Sequence, residues 1–406
     1  MGVYRKDPWK KRALVSVIWG ITAYCVTTEN PWRLGGANVN CLVMKTTDVL
    51  LIGAGPIGLE MAVALQEAGY EYVHLEARQV AHTISWFPKQ ARFFSSPERI
   101  AICGVPLRTL DQSKATREEY ISYLLGIVQQ FRLQIRTYER VTRVSPCEGE
   151  YRYEIETSCP HGGETYRAKH VIFTIGDMHG PRPLTLDGET LVEGTNLPHV
   201  SSYFDEPHPY FGRKLLIVGG RNSAAEAAVR CFRAGAQVAV SYRRSELDSS
   251  IKYWLKPEIE WLIRHDEIKF FPQTVPSCIS RTHVTLSKVG DDLAIIPDSD
   301  FDEAFDFVLL LIGYRMDGSL LARAGVELQG ASQTPNHDPT TMETNRPGIY
   351  MAGTAAAGTQ LRFKLFIENC HAHVVRIMRH LGSKDPTHIN PLAYSDLKRR
   401  SLIAES

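Results

Sequence analysis

Asp48-Val-Leu-Leu-Ile-Gly-Ala-Gly-Pro-Ile-Gly-Leu59 is the stretch whose reading settles the architecture. Asp48–Ile52 is a short apolar run of buried-strand type, glycines stand at 53, 55 and 58, and a helical pattern, Leu59–Ala68, follows at once. Strand, glycine turn and helix in that order form a dinucleotide-binding unit. Gly53 allows the tight turn, Gly55 lets the backbone approach a pyrophosphate, and Gly58 lets the helix pack close to the strand. The helix start then offers free N–H groups and a positive dipole end to the phosphates. The next strand, Tyr72–Leu75, ends in Glu76, whose carboxylate suits ribose hydroxyls and repels a 2′-phosphate. Glycine turns also close strand-to-helix connections that bind nothing, but the strand, the helix and the acid together argue against that here. These residues alone leave both FAD and NAD open.

The same grammar returns in the middle of the chain. Lys214–Val218 reads as a strand, Gly219-Gly-Arg-Asn-Ser-Ala224 as its turn, and Ala225 to about Ala234 as its helix. Ser223 and Glu226 have the spacing of a capping box. The following strand, Gln237–Ser241, runs into Arg243 and Arg244, at nearly the offset that Glu76 has from the first turn. Guanidinium groups suit a 2′-phosphate where a carboxylate suits a free hydroxyl, so this second turn is expected to take NADPH. Two surface arginines at a strand end are the plainer reading, and their position argues against it. Arg221 occupies the place of the second fingerprint glycine, where its side chain either displaces the pyrophosphate or contacts it; Asn222, Ser223 and Ala224 complete the turn.

Two more apolar runs, Lys169–Gly176 and Asp306–Gly313, flank the second unit, and Gly348–Gly353 is a last short strand ending in glycine. The pattern predicts an α/β protein of two Rossmann-like, three-layer dinucleotide-binding domains. Residues 44–189 and 311–380 would form a discontinuous FAD domain, with an NADPH domain, 190–310, inserted in it. Phe363–His380 reads as a closing helix and 381–406 as a peripheral tail. His371 and His373, two apart on that helix, read as surface or packing residues rather than joint metal ligands. Trp254 and Pro257 read as packing and a helix start.

Length and composition agree with two ordinary globular domains: 406 residues, 44% hydrophobic and 22% charged. A net charge of +1 gives no reason to expect nucleic acid, and the run Lys398-Arg-Arg400 reads as a solvated tail. The eight cysteines are scattered without a CxxC pair, the usage of a reduced, cytoplasmic protein without a metal site. Residues 1–43 read as a non-essential extension, or as sequence ahead of a true start at Met44; a membrane anchor is the lesser alternative, since Ala13–Val26 is too short to span a bilayer.

Taken together, these motifs resemble the flavoprotein class that includes thioredoxin reductases, and within it the bacillithiol disulfide reductase family. The resemblance covers Lys45 to His380. It rests on Gly53–Leu59, Arg92-Phe-Phe-Ser-Ser96, Gly219–Ala225, Tyr253-Trp-Leu-Lys-Pro257, Gly313-Tyr-Arg315 and Phe366-Ile-Glu-Asn369. It implies FAD and NADPH as cofactors, with Gly353 and Ile57 also at the flavin, and transfer of electrons to a small-molecule disulfide or a small redox protein. Three departures bear on the chemistry. No CxxC is present, Ile57 stands where such enzymes are thought to use a cysteine, and Thr354 stands where the wider class has an aspartate. A ferredoxin or flavodoxin reductase, a flavin monooxygenase and a non-enzymatic redox sensor are the alternatives, and a homo-oligomer is possible on this reading.

Overall fold

The computed structural model describes residues 44–186, 188–360 and 364–395, so the expectations for 1–43, for Phe363 and for Lys398–Arg400 fall outside it. The strands in chain order are β1 (Lys45–Ile52), β2 (Tyr72–Leu75), β3 (Ile135–Arg136), β4 (Arg140–Pro146), β5 (Tyr153–Ser158) and β6 (Thr165–Phe173). A two-residue strand, β7 (Gly180–Pro181), leads to β8 (Val200–Ser201), β9 (Lys214–Val218), β10 (Gln237–Tyr242) and β11 (Lys269–Pro272). Then come β12 (Thr274–Ile279), β13 (His283–Lys288), β14 (Phe301–Ala304), β15 (Phe307–Leu310), β16 (Tyr314–Arg315), β17 (Leu328–Gln329), β18 (Thr334–Pro335) and β19 (Ile349–Met351).

The first sheet has the order β3-β2-β1-β6-β5-β4, with β19 paired in parallel to β6. Val49, Leu50 and Leu51 at its centre are completely buried, as a strand covered on both faces requires. The first helix spans Pro56–Glu67, starting earlier than the sequence pattern suggests. Pro56 fits the first turn because the N–H it lacks would be unpaired there anyway.

The second sheet, β11-β10-β9-β15-β8, is parallel at each of its pairings. Its strands alternate between two cores. Leu215, Ile217 and Val240 pack against the helices Asn222–Arg233 and Lys256–Arg264, while Leu216, Val218 and Leu310 pack against Ile279, Val284 and Leu286 of the antiparallel sheet β12-β13-β14. Helices, parallel sheet and antiparallel sheet are therefore three layers. The sequence pattern did not reveal the antiparallel elements, because short amphipathic strands carry little signal alone. The chain leaves the first sheet after β6 and returns to it at β19, and β7 and β16 pair antiparallel at the crossing. The protein is thus an α/β molecule of two domains, the second inserted in the first.

The closing helix is Ile367–His380 and lies against the first helix. Neither histidine is on the surface: His371 and His373 are both buried. Glu60, fully buried on the first helix, accepts the N–H groups of Cys103 and Asn390 on Oε1, each at 3.0 Å, and its Oε2 lies 2.6 Å from His371 Nδ1. His371 Nε2 is 3.1 Å from the Arg99 carbonyl, which can only accept, so that nitrogen carries a proton. Glu60 and His371 thus form a buried hydrogen-bonded pair that joins the first helix to the closing one. Asn390, Ile389 and Ala393 are buried, so this part of the chain is not the peripheral tail its sequence suggests.

Removing one partner of a buried pair strands the other. Glu60→Ala should lower the unfolding free energy by about 3–5 kcal/mol in a denaturant titration, whereas removal of an exposed carboxylate such as Glu150 should have little effect.

Candidate functional site

The first turn is held through one peptide group. The Gly53 carbonyl accepts from the Thr174 hydroxyl at 2.7 Å and from His74 Nε2 at 2.9 Å. The N–H on the other side of that peptide, of Ala54, donates to Glu76 Oε2 at 2.8 Å, and Glu76 Oε1 accepts from the Arg78 N–H at 2.8 Å. Glu76 thus stands where the sequence placed it, held by backbone, with acceptor positions to spare. Burial pushes the pKa of His74 down to about 4, so its ring is neutral and Nε2 is the donor; Nδ1 has no partner among the described residues. Thr174 and His74 belong to this site, and neither carries a local sequence signal.

Space around the glycines separates their roles. A Cβ on Gly53 would meet the Thr174 carbonyl at 2.6 Å, and one on Gly58 would collide with the Gly53 carbonyl and lie 2.7 Å from Thr174 Oγ1. A Cβ on Gly55 would meet nothing within 4 Å: that side of the turn is open, as a pyrophosphate needs. Ile57 is buried and lies against Gly353, whose φ of +74° opens the turn Gly353–Ala357. Thr354 Oγ1 is 3.9 Å from a Cβ built on Gly176, so the ends of β1, β6 and β19 converge here. No sulfur contributes to these contacts. Cys103 is buried with its thiol pushed up by burial and by the Glu60 charge, and burial pushes Cys231 to about 12, so both stay protonated near neutral pH.

The second turn repeats the plan with a different lining. Gly219 has a φ of +141° and a Cβ there would lie 2.5 Å from the Leu311 carbonyl; Gly220 lies under the Tyr242 ring, and Ala224 takes the third fingerprint place at 1% exposure. The capping box does not form. The helix starts at Asn222 with Arg221 as its cap, because the turn itself delivers the chain to the helix; Ser223 falls inside the first turn, and Glu226 pairs instead with Lys252 at 3.1 Å and Arg230 at 3.6 Å. Asn222 Oδ1 accepts the Lys252 N–H at 2.7 Å and fixes the neighbouring loop. Arg221 points outward and its Nε donates to Asp248 Oδ2 at 3.1 Å. Arg243 and Arg244 are exposed just past β10, and neither forms an ion pair among the described residues.

The segments Arg92–Ser96 and Tyr253–Pro257 meet between the two sheets. Lys252 Nζ donates to the Arg92 carbonyl at 2.8 Å, and the rings of Phe94 and Trp254 stack 6.2 Å apart. Pro257 starts the helix Lys256–Arg264 as expected. Trp86, Tyr203 and Tyr314 form a second aromatic group at the crossing, with centroids 5.7 to 6.4 Å apart.

A model of the pyridine nucleotide-disulphide oxidoreductase family matches residues 50–353. The chain belongs to this family. It is an oxidoreductase whose relatives include bacilliredoxin reductase Bdr of Bacillus subtilis strain 168, 32% identical over 336 residues, 83% of this chain and 98% of that one. The solved bacillithiol disulfide reductase Bdr of Bacillus cereus is similar with a TM-score of 0.75 and 31% identity, over 83% of this chain and 99% of the other. A ferredoxin–NADP reductase of Ignicoccus hospitalis is 26% identical over 315 residues, 75% of this chain and 89% of that one.

Two predictions follow from the first turn. Gly58→Ala should cost about 1–3 kcal/mol of stability through overpacking, while Gly55→Ala should leave the melting temperature in place and weaken only nucleotide retention. His74, neutral when folded and titrating at 6.5 when unfolded, adds stability above pH 6.5 that is lost as pH falls toward 4. His74→Gln should flatten that slope in unfolding titrations run at successive pH values.

Proposed function

We propose that the first turn holds FAD, that the second holds NADPH, and that the enzyme passes the electrons to an acceptor carrying its own reactive disulfide. The observation that carries this reading is the contrast at two equivalent places: a backbone-held carboxylate, Glu76, past β2, and unpaired arginines, Arg243 and Arg244, past β10. In this reading residues 44–189 and 311–380 serve the flavin and 190–310 the nicotinamide cofactor. Gly53, Gly55 and Gly58 admit the FAD pyrophosphate, Glu76 takes the ribose, and Ile57 and Gly353 line the flavin side. Gly219, Arg221, Asn222, Ser223 and Ala224 form the turn for NADPH, with Arg243 and Arg244 on its 2′-phosphate. Bound FAD supplies the two-electron carrier that accepts hydride from NADPH. The chain's own part is to bind both dinucleotides, orient them, and keep buried thiols out of the reaction.

Ile57 directs the choice of acceptor. With an aliphatic side chain where the resemblance would put a cysteine, no thiol among the described residues stands at the first turn to form a mixed disulfide. A disulfide acceptor is then reduced directly, and a low-molecular-weight thiol disulfide is the class that the similar bacillithiol disulfide reductase supports. The same residue favours one second reading, a small redox-protein acceptor as in the ferredoxin–NADP reductases. Scattered free cysteines support work in the reducing cytoplasm.

Purified protein should be yellow, and NADPH added without oxygen should bleach its flavin band within the dead time of a turnover. A flavin that stays oxidised ends the proposal. Arg243→Ala should lower the preference for NADPH over NADH by about tenfold or more while leaving flavin content unchanged. Turnover with low-molecular-weight disulfides against turnover with ferredoxin separates the two acceptor classes.

A further inference from the structure

The second sheet has its topological switch at β9, which pairs with β10 on one side and β15 on the other. Ligands of such sheets lie in the crevice outside the strand ends at that point. Three segments border it: the glycine turn after β9, Arg243 after β10, and Leu311–Gly313 after β15. The third segment is where an unforeseen arginine sits. The Arg182 N–H donates to the Gly313 carbonyl at 2.9 Å, its Nε donates to the Tyr314 carbonyl at 2.9 Å, and Nε lies 3.7 Å from a Cβ built on Gly313. Its Nη2 reaches the Gln360 carbonyl at 3.4 Å, and Nη1 has no partner among the described residues.

Arg182 is half-buried and directly follows the crossing strand β7, so it comes to the crevice from outside the second sheet. Burial lowers its pKa, and the charges of Arg221 and Arg243 act in the same direction. Arg221 is paired with Asp248, whereas Arg182 is held by carbonyls and forms no ion pair among the described residues. Arg182 at the end of β15 and Arg243 past β10 place cationic groups on both flanks of one glycine turn, a setting suited to an anion with more than one charge.

Resting on the reading that NADPH binds the second turn, we infer that Arg182 binds the nicotinamide-side phosphate of its pyrophosphate. Arg243 stands on the β10 flank, where the adenosine 2′-phosphate would lie, and Arg182 on the β15 flank, so the two arginines would contact opposite halves of the dinucleotide. Arg221 belongs to the glycine turn itself. A dinucleotide held this way touches both the second domain and the crossing that joins it to the first.

The test uses the FAD-loaded protein and two probes, NADP+ and adenosine 2′,5′-bisphosphate, which lacks the nicotinamide-side phosphate, in isothermal titration calorimetry. Arg182→Met should raise the Kd for NADP+ by about tenfold and leave that for the bisphosphate unchanged, and Arg182→Lys should recover part of the loss. Arg243→Met should weaken both probes. Flavin content and melting temperature, read on each variant, report on folding. An Arg182→Met protein that folds and binds NADP+ as before overturns the inference, as does one that loses both probes equally. Wild-type protein that binds neither probe overturns the NADPH reading itself, and this inference with it.

Discussion

The peptide between Gly53 and Ala54 is the joint on which the first domain depends. Its carbonyl is taken up by Thr174 and His74, which fills both lone pairs, and its N–H goes to Glu76. Because the group is planar, the two ends cannot move independently. Fixing the carbonyl inward aims the N–H at the acid, and the acid is then fixed for whatever ribose the turn receives. β1, β2 and β6 each contribute one part of this joint, so the sheet has to be assembled before the site exists.

The two crevices are built alike and lined differently. In each, a parallel strand with neighbours on both sides ends in a glycine turn whose backbone passes too close to the next segment to admit a side chain. At the first crevice the flanks are a carboxylate and neutral hydroxyls; at the second they are arginines on both sides. The two crevices therefore share a shape and differ in charge. At the crossing β7–β16, Arg182 directly follows one strand and the Tyr314 carbonyl that holds it lies on the other.

Burial takes Cys103, Cys231 and His371 out of contact with solvent. The thiols of Cys103 and Cys231 are held in their protonated form inside the cores, and His371 is committed to Glu60. That pairing ties the first helix to the closing helix and to Asn390, so the helix that presents its N-terminus to the first turn is anchored along its length.

The sequence by itself determined both glycine turns, the strands before them, the helices after them, the acid past β2 and the arginines past β10. All of these are local: a turn, a period or a charge at a fixed offset is written in consecutive residues. The inserted order of the domains was legible as well, since buried runs ending in glycine flank the second unit. Only the tertiary structure decided which distant groups meet. His74 reaches the Gly53 carbonyl from β2 and Thr174 from the end of β6, Glu60 finds His371 and Asn390 more than three hundred positions away in the chain, and Arg182 is held by Gly313 and Tyr314. The capping box failed because the helix starts at Asn222, ahead of Ser223, and Glu226 pairs with Lys252, a residue beyond its own helix. Hydrogen bonds and charge pairs between segments depend on how the sheets close, and no window of sequence contains both partners.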